Sequence, residues 1–469
     1  MPWKAVLLFL VLLSALAALP GDPAGPFDPR SGARADGFVL EMPATASAIE
    51  PFAAPFHALA GAPDYRLAAV STLVWVALFP LFVVRPTRRA LAACGWAIGL
   101  FACYVLFCAL VPLPSWRLRA KAPGTVIADL QTHTLASHDG IVSAEDNLEL
   151  HAARGCDVVA VTEHDDSSGS YEALDLAEAA PGLPAVLPGV ELRERGGGYL
   201  LGLGTTLSRK RIEPEDLRDA RKFVAAARRP NERFPDGGAV LALSWKLKGP
   251  DVSRLVSAGV DGFEIANFGH PVPNPDAEAA MLLAQSKHGL HLVSSSDWHG
   301  WSGAWRTWTA FRVPPGTPKR EFADVVLEIL RERRTQDVLP LTAGRLGQQP
   351  LLRTAFAPVI EAVRYARELS WERVLSWWIW AGLLLAARRA LLRVRLRPGR
   401  VGLIVLLAVL GTGLVIAGAS LLLSFASGET STAFPARIGA WGAAAGSMAC
   451  MAGAVLSYLE CGGPHAKRT

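Results

Sequence analysis

Asp297 and His299 stand two residues apart near the end of GLHLVSSSDWHG, Gly289 to Gly300. The apolar part, His291 to Ser294, reads as a buried β-strand, so the pair is presented beyond the strand's C-terminal end. Two apart on an extended backbone, the side chains point the same way. Carboxylate and imidazole are both good ligands for borderline divalent metals such as zinc, manganese or iron. An isolated D-x-H is most often a strand-to-loop turn with a surface histidine. Here three further stretches carry the same residue types: DLQTHTLASHDG from Asp129 to Gly140, TEHDD from Thr162 to Asp166, and PGVELR from Pro188 to Arg193. Of the ten histidines in the chain, His133, His138, His164 and His299 stand in the polar ends of these stretches, and His270 follows another apolar run.

The elements that must position these residues alternate in type. Strands are expected at Val126 to Thr132, Asp157 to Thr162, Ala185 to Val190, Tyr199 to Leu203, Ala239 to Leu243, Gly262 to Ala266 and His291 to Ser294. Helices fit between most of them: Ala144 to Arg154 behind a capping box at Ser143 and Asp146, Glu215 to Arg228, Asp276 to His288, and a closing helix from Lys319 to Arg334. Seven short strands separated by helices predict an α/β fold, a parallel barrel or barrel-like sheet. Such barrels place their chemistry at the C-terminal strand ends. Histidine and carboxylate recur at four of those ends, so a metal site is expected there.

The order DLQTHT…SHDG, AVTEHDD, LPGVEL, YLLGLG and SSSDWHG resembles the PHP superfamily, named for polymerase and histidinol phosphatase domains, across about Thr125 to Val313. The resemblance implies a distorted seven-stranded β/α barrel with up to three metals and, in many members, hydrolysis of phosphate esters. Carried over by position, the family's opening His-x-His becomes Gln131 and His133. Asp139 stands where the family has its next ligand, His164 matches the TDH-type histidine, Glu191 the bridging carboxylate, and Asp297 and His299 the final pair. Tyr199 replaces a histidine, and Leu243 and Ser244 replace a His-Pro.

In family terms one metal would be held by Asp139, His164 and His299, which is a complete set. A second would use His133, Glu191 and Asp297, with Gln131 as a weaker neutral ligand. The third has lost its histidines, since leucine cannot ligate and a phenol with pKa near 10 is a poor ligand at neutral pH. One or two ions of Zn, Mn or Fe are therefore expected.

A bound dication acidifies water and offsets charge on phosphoryl oxygens, which is the chemistry of phosphate ester hydrolysis. Lys246 could supply a fixed positive charge where the third metal is lost, and Arg306 could bind phosphate. The expected function is a membrane-anchored phosphoesterase acting on a phosphorylated small molecule or other phosphate ester. The alternative is a degenerate barrel that binds a ligand without turnover. No aromatic-and-basic platform for single strands is present, so nucleic acid is not an expected partner.

The chain is 51% hydrophobic and only 19% charged, with a mean hydropathy of +0.27, too apolar for a soluble protein of 469 residues. Residues 1–20 read as a signal peptide or first membrane helix, and 21–65 as an extracytoplasmic loop rich in Pro, Ala and Gly without much regular structure. Leu67 to Val84 and Ala90 to Val111, within 66–111, approach the ~20 residues needed to cross a bilayer. The polar domain occupies 122–340. Trp371 to Ala387, Val401 to Phe425 and Ile438 to Leu459, within 371–460, supply three more spans, with Trp371, Trp377, Trp378 and Trp380 suited to a membrane interface and Gly442 and Gly446 to close packing. Residues 461–469 form a tail. Arginines at 85–89 and 388–400, with Lys4, Lys467 and Arg468, fall on one side if there are six spans. That side is cytoplasmic by the positive-inside rule, so the polar domain is expected to be extracytoplasmic, although Arg117, Arg119 and Lys121 argue weakly the other way. The six cysteines suggest no disulfide framework.

Overall fold

The computed structural model of the chain describes residues 3–19, 25–83, 87–111, 113–207, 218–270, 274–303, 305–344, 346–347 and 349–393. The expected spans at 401–425 and 438–459, Gly442, Gly446, the arginine loop at 394–400, Cys450, Cys461 and the tail lie outside these residues. The described residues fall into two compact units, one within 1–23, 42–58 and 359–393 and the other within 24–41 and 59–358.

The second unit is built on a ten-stranded curled sheet, not seven strands. In chain order its strands are β1 (Pro26–Phe27), β4 (Thr125–Thr132), β5 (Val158–His164), β6 (Ala185–Arg193), β7 (Tyr199–Leu203), β8 (Ala239–Leu243), β9 (Gly262–Asn267), β10 (His291–Ser295), β11 (Thr307–Arg312) and β12 (Val338–Ala343). A separate antiparallel pair joins β2 (Phe38–Glu41) to β3 (Arg117–Ala120). The seven expected strands are β4 to β10. The extra ones are the Thr-rich β11, β12 with Pro340 inside it, and a two-residue edge at Pro26. Part of 21–65 is therefore regular structure, including the helix Glu50–Ala60.

Pairing is mixed rather than wholly parallel. β4, β5 and β6 run parallel, as do β8, β9 and β10, but β7 is antiparallel to both neighbours. Only Glu194 to Gly198 joins β6 to β7, too short for the crossover a parallel pair needs. β10 approaches β11 through threonine hydroxyls: Thr309 Oγ1 accepts from Ser294 N (2.8 Å) and Thr307 Oγ1 donates to Ser295 O (2.7 Å). Beyond β10, Thr132 bridges to Trp298, which joins the end of β4 to the turn after β10.

Alternation assigns the two faces. One carries Val126, Ala128, Val158, Ala160, Leu187, Leu201, Leu241 and Val293 and packs on the helix Phe322–Arg331. Burial of Val326, Leu327, Ile329 and Leu330 from that helix contributes about 1.5–3 kcal/mol each. The opposite face is covered by helices Ala144–Ala153 and Ser168–Ala179 on one half and Ala220–Ala227, Gly249–Ala258 and Pro275–His288 on the other. Ser143 caps its helix as expected, accepting from Asp146 N at 3.1 Å. By the period of two, the first face continues along β5 to His164 and along β6 to Glu191 and Arg193.

Helices Tyr65–Val83 and Thr87–Leu110 correspond to the first two apolar runs. Among the described residues, one helix, Tyr65–Phe82, is long and apolar enough to cross a membrane; Trp3–Ala18 and Ala93–Ala109 are shorter apolar helices. In the first unit, helix Trp371–Arg393 bonds three of its tryptophans internally, Trp377 Nε1 donating to Tyr365 Oη, Trp378 Nε1 to Ser14 Oγ and Trp380 Nε1 to Ala48 O, while Trp371 is exposed. Arg373 pairs in the same unit with the buried Glu50, whose carboxyl stays at about 2: burial opposes this, but His57 and Arg373 beside it prevail. Cys94, Cys103, Cys108 and Cys156 are free thiols.

Candidate metal centre

The residues at the ends of β4, β5, β6 and β10 meet in one cleft of about 440 Å³. In the register of β5 on β6, His164 lies beside Glu191. A register shift in β4 between Asp129 and Thr132 re-aims Gln131 and His133. Asp297 does not reach the site by simple strand alternation. It lies past the end of β10 with φ 54°, held by its N–H to Gln131 O (3.0 Å), while His133 N donates to Trp298 O (2.8 Å). The fully buried Asp129 supports this turn by accepting from Ser296 N at 3.0 Å and facing His151 Nε2 at 3.1 Å. Gly140 lets the Asp139 loop close, since a Cβ there would lie 1.9 Å from Thr134 O.

Asp139 Oδ2 lies 3.4 Å from Nε2 of both His164 and His299. His299 Nδ1 lies 2.8 Å from the carbonyl of Asp297, which can only accept. Nδ1 therefore carries the proton, and Nε2 turns its lone pair toward Asp139. His133 stacks between the other two imidazoles, at 4.5 Å from His164 and 4.1 Å from His299. Burial, reinforced by neighbouring His133, holds His164 and His299 below the ordinary histidine pKa, so both are neutral ligands at neutral pH. For Asp139, burial is outweighed by His299 and His164, and its carboxyl is lowered. Two overlapping groups here could hold a divalent ion: His133, His164 and His299, which can bring one atom each within 4.8 Å of one another, and His138, Asp139 and His164.

The second set is arranged differently. His133 Nε2 lies 3.2 Å from Glu191 Oε2 and 3.4 Å from Asp297 Oδ1, and the three can cluster. Burial works against a charge on His133, but Asp297 and Glu191 raise it to about 10. Gln131, the expected neutral ligand, instead donates Nε2 to the same two oxygens, at 2.6 Å and 2.9 Å. Its orientation is determined from outside. His270 N donates to Asn267 Oδ1 (2.9 Å), so Asn267 Nδ2 faces Gln131 Oε1 (3.3 Å) and the Gln131 NH2 must face the carboxylates. A cation between Glu191 and Asp297 would meet amide hydrogens there, so Gln131 does not fit as a ligand and its amide takes the place of a second ion.

Around Tyr199, one of the positions expected to have lost a ligand, there is an aromatic stack. Tyr199 packs on Trp245 at 5.4 Å and Trp245 on His270 at 4.1 Å and 3°, while Leu243 is buried in the apolar core. Lys246 does not line the cleft; its Nζ sits 3.7 Å over the Trp245 ring. Arg306 is not a phosphate ligand either, because its guanidinium is buried and donates to the carbonyls of Ala343 and Ala62, at 2.8 Å and 2.9 Å. Among the described residues, the arginines that line the cleft are the exposed Arg193 and Arg218. Arg193 was legible, since it stands two residues after Glu191 and so on the same face; Arg218 carries no such signal. Two buried carboxyls also escape a motif reading. Glu163 accepts from Thr134 N and Oγ1 and from Ser137 Oγ, and Glu264, pushed up by burial and by Asp297, is a lone acid in the strand GFEIAN.

No family model and no curated protein matches the chain. Among solved structures, a protein of Bifidobacterium adolescentis described as a metal-dependent phosphoesterase is similar at 16% identity and TM-score 0.30, covering 43% of this chain and 96% of its own. An amidohydrolase of Chromobacterium violaceum with bound sulfate and no metal is similar at 17% identity and TM-score 0.30, covering 45% and 97%. A two-domain protein of Bacteroides vulgatus containing a PHP-like metal-dependent phosphoesterase is similar at 18% identity and TM-score 0.33, covering 50% and 69%. The chemistry of this chain is carried by its own donors rather than by these likenesses.

Proposed function

We propose that the chain is a metal-dependent phosphoesterase anchored in a membrane. The observation that carries the reading is the convergence of Asp139 with the two neutral imidazoles of His164 and His299 in an open cleft. An ion bound there supplies an acidified water and offsets charge on phosphoryl oxygens. Arg193 and Arg218 supply the cationic side of the same cleft and orient the phosphate as planar donors. Exposed His138, with Nε2 3.8 Å from Asp139 Oδ2, is placed to hand a proton to the leaving oxygen.

The test is a panel of phosphomonoesters and phosphodiesters with added Mn or Zn, using the full-length chain purified in detergent. Wild-type protein turns over at least one class, and His164→Ala and Asp139→Asn each lower the rate at least ~10²-fold. No turnover by metal-loaded protein, or retained rates in both variants, overturns the reading in favour of a binding module. We place the domain outside the cytoplasm, on the basic residues flanking the apolar runs. A reporter active only outside the cytoplasm is then active when fused after Arg334 and silent when fused within 393–400; the reverse pattern refutes that placement.

A further inference from the structure

Both apolar helices of the second unit meet the rim of the metal cleft. At the start of the helix Tyr65–Val83, the Tyr65 ring stacks on Phe268 at 5.0 Å and 17°, and the Arg66 guanidinium bonds the carbonyl of Gly269, beside cleft-lining His270. At the end of the helix Thr87–Leu110, Ala109 O accepts from Ser302 N at 2.7 Å, three residues past His299. The segment that carries Asp297 and His299 is thus bracketed by the inner ends of two lipid-compatible helices.

Beside the polar cleft, three apolar side chains on the adjoining loops are exposed. Leu135 is 65% exposed, Trp301 48% and Ile141 37%. These side chains stand on the metal loops themselves: Leu135 N donates to Val142 O, Ile141 N donates to His299 O, and Trp298 Nε1 donates to Trp301 O. Farther along the same helix Tyr65–Val83 lies the short helix Leu351–Ala355, with Ser71 Oγ and Trp75 Nε1 both donating to Ala355 O, which leaves Leu351 and Leu352 84% and 74% exposed. Clustered exposed apolar residues of this kind mark a surface that something covers. The helices bring a bilayer to this face, and amphipathic rims of Trp and Leu settle into the headgroup boundary.

We propose that the mouth of the cleft rests on the membrane surface and that the substrate is an amphiphilic phosphate ester. Its apolar part stays in the bilayer while its phosphate enters between Asp139, His164 and His299 on one side and Arg193 and Arg218 on the other. This assignment rests on the phosphoesterase and membrane readings above and specifies their substrate class.

The experiment uses the full-length, metal-loaded chain in phosphatidylcholine vesicles. A diacylglycerol phosphate in the same vesicles is compared with glycerol 3-phosphate in solution, and brominated lipids probe Trp301 by fluorescence quenching against Trp301→Phe. The lipid phosphate is hydrolysed with kcat/KM at least ~100-fold above the soluble ester. Leu135→Ser and Trp301→Ser raise the KM for the vesicle substrate ~10-fold without changing kcat or the soluble rate, as removal of bilayer-buried apolar surface requires. Bromolipid quenching falls in Trp301→Phe. Equal turnover of both esters, with rim variants that make no difference, overturns the lipid assignment and leaves the phosphoesterase intact. If neither ester turns over, the phosphoesterase reading fails, and quenching then decides the docking alone: unchanged quenching in Trp301→Phe overturns it.

Discussion

Ser137→Ala removes one oxygen atom and should weaken metal binding without touching a ligand. The Ser137 hydroxyl donates to Glu163 Oε2 at 2.5 Å, faces His133 Nδ1 at 3.2 Å and accepts from His164 N at 3.1 Å, and both Ser137 and Glu163 are buried. Because its own hydrogen goes to Glu163, its oxygen accepts from His133 Nδ1–H, which aims His133 Nε2 at the site. In the alanine variant Glu163 keeps its bonds from Thr134, but the N–H groups of the His133 ring and the His164 backbone lose their acceptor. Each buried orphan costs about 1–3 kcal/mol, so a stability loss of about 2–4 kcal/mol is expected, short of the sum because the two share one acceptor. Loss of a group that orients metal ligands typically weakens metal affinity ~10–100-fold, equivalent to about 1.4–2.8 kcal/mol. The assay is competition between the full-length chain and a chelating dye for Zn or Mn, together with thermal unfolding with and without metal. Glu163→Gln should cost a similar factor, and the double variant should fall well short of the product. An unchanged affinity in Ser137→Ala, or strict additivity with Glu163→Gln, refutes this relay.

Two further outcomes follow from the geometry. Gln131→His replaces the amide that occupies Glu191 and Asp297 with a ligand, so metal content by mass spectrometry should rise from one equivalent in the wild-type chain to two; two in the wild type, or one in the variant, contradicts the orientation of Gln131. His291 is buried with Nε2 3.2 Å from the carbonyls of Ile329 and Leu330, and burial, only partly opposed by those carbonyls, lowers its pKa from 6.5 to about 4. The unfolded chain therefore takes up a proton that the folded one refuses as pH drops through 6.5, so the contribution of His291 to stability is flat above that pH and declines toward pH 4, by about 3 kcal/mol in all. Denaturant titrations of metal-free protein across this range should show a shallower decline in His291→Gln, and parallel curves would exclude His291 as the cause.

What could be read from residues alone was what depends on local period and type. The strands β4 to β10 announce themselves by apolar runs, and the ligand types recur at their ends because the polypeptide must turn from core to solvent there. Asp139, His164, Glu191, Asp297 and His299 all stand in the cleft for that reason. Three arrangements needed the folded chain. The strands β11 and β12 are held by pairing with distant neighbours rather than by their own composition. Gln131 looks like a weak ligand until Asn267, 136 positions away, turns its amide nitrogen toward the carboxylates. Arg306 and Lys246 look like phosphate ligands until distant carbonyls and an aromatic ring claim them. A side chain's type sets which bonds it can make, but for Gln131 and Arg306 the choice among them belongs to partners far along the chain, which only tertiary structure brings into hydrogen-bond reach.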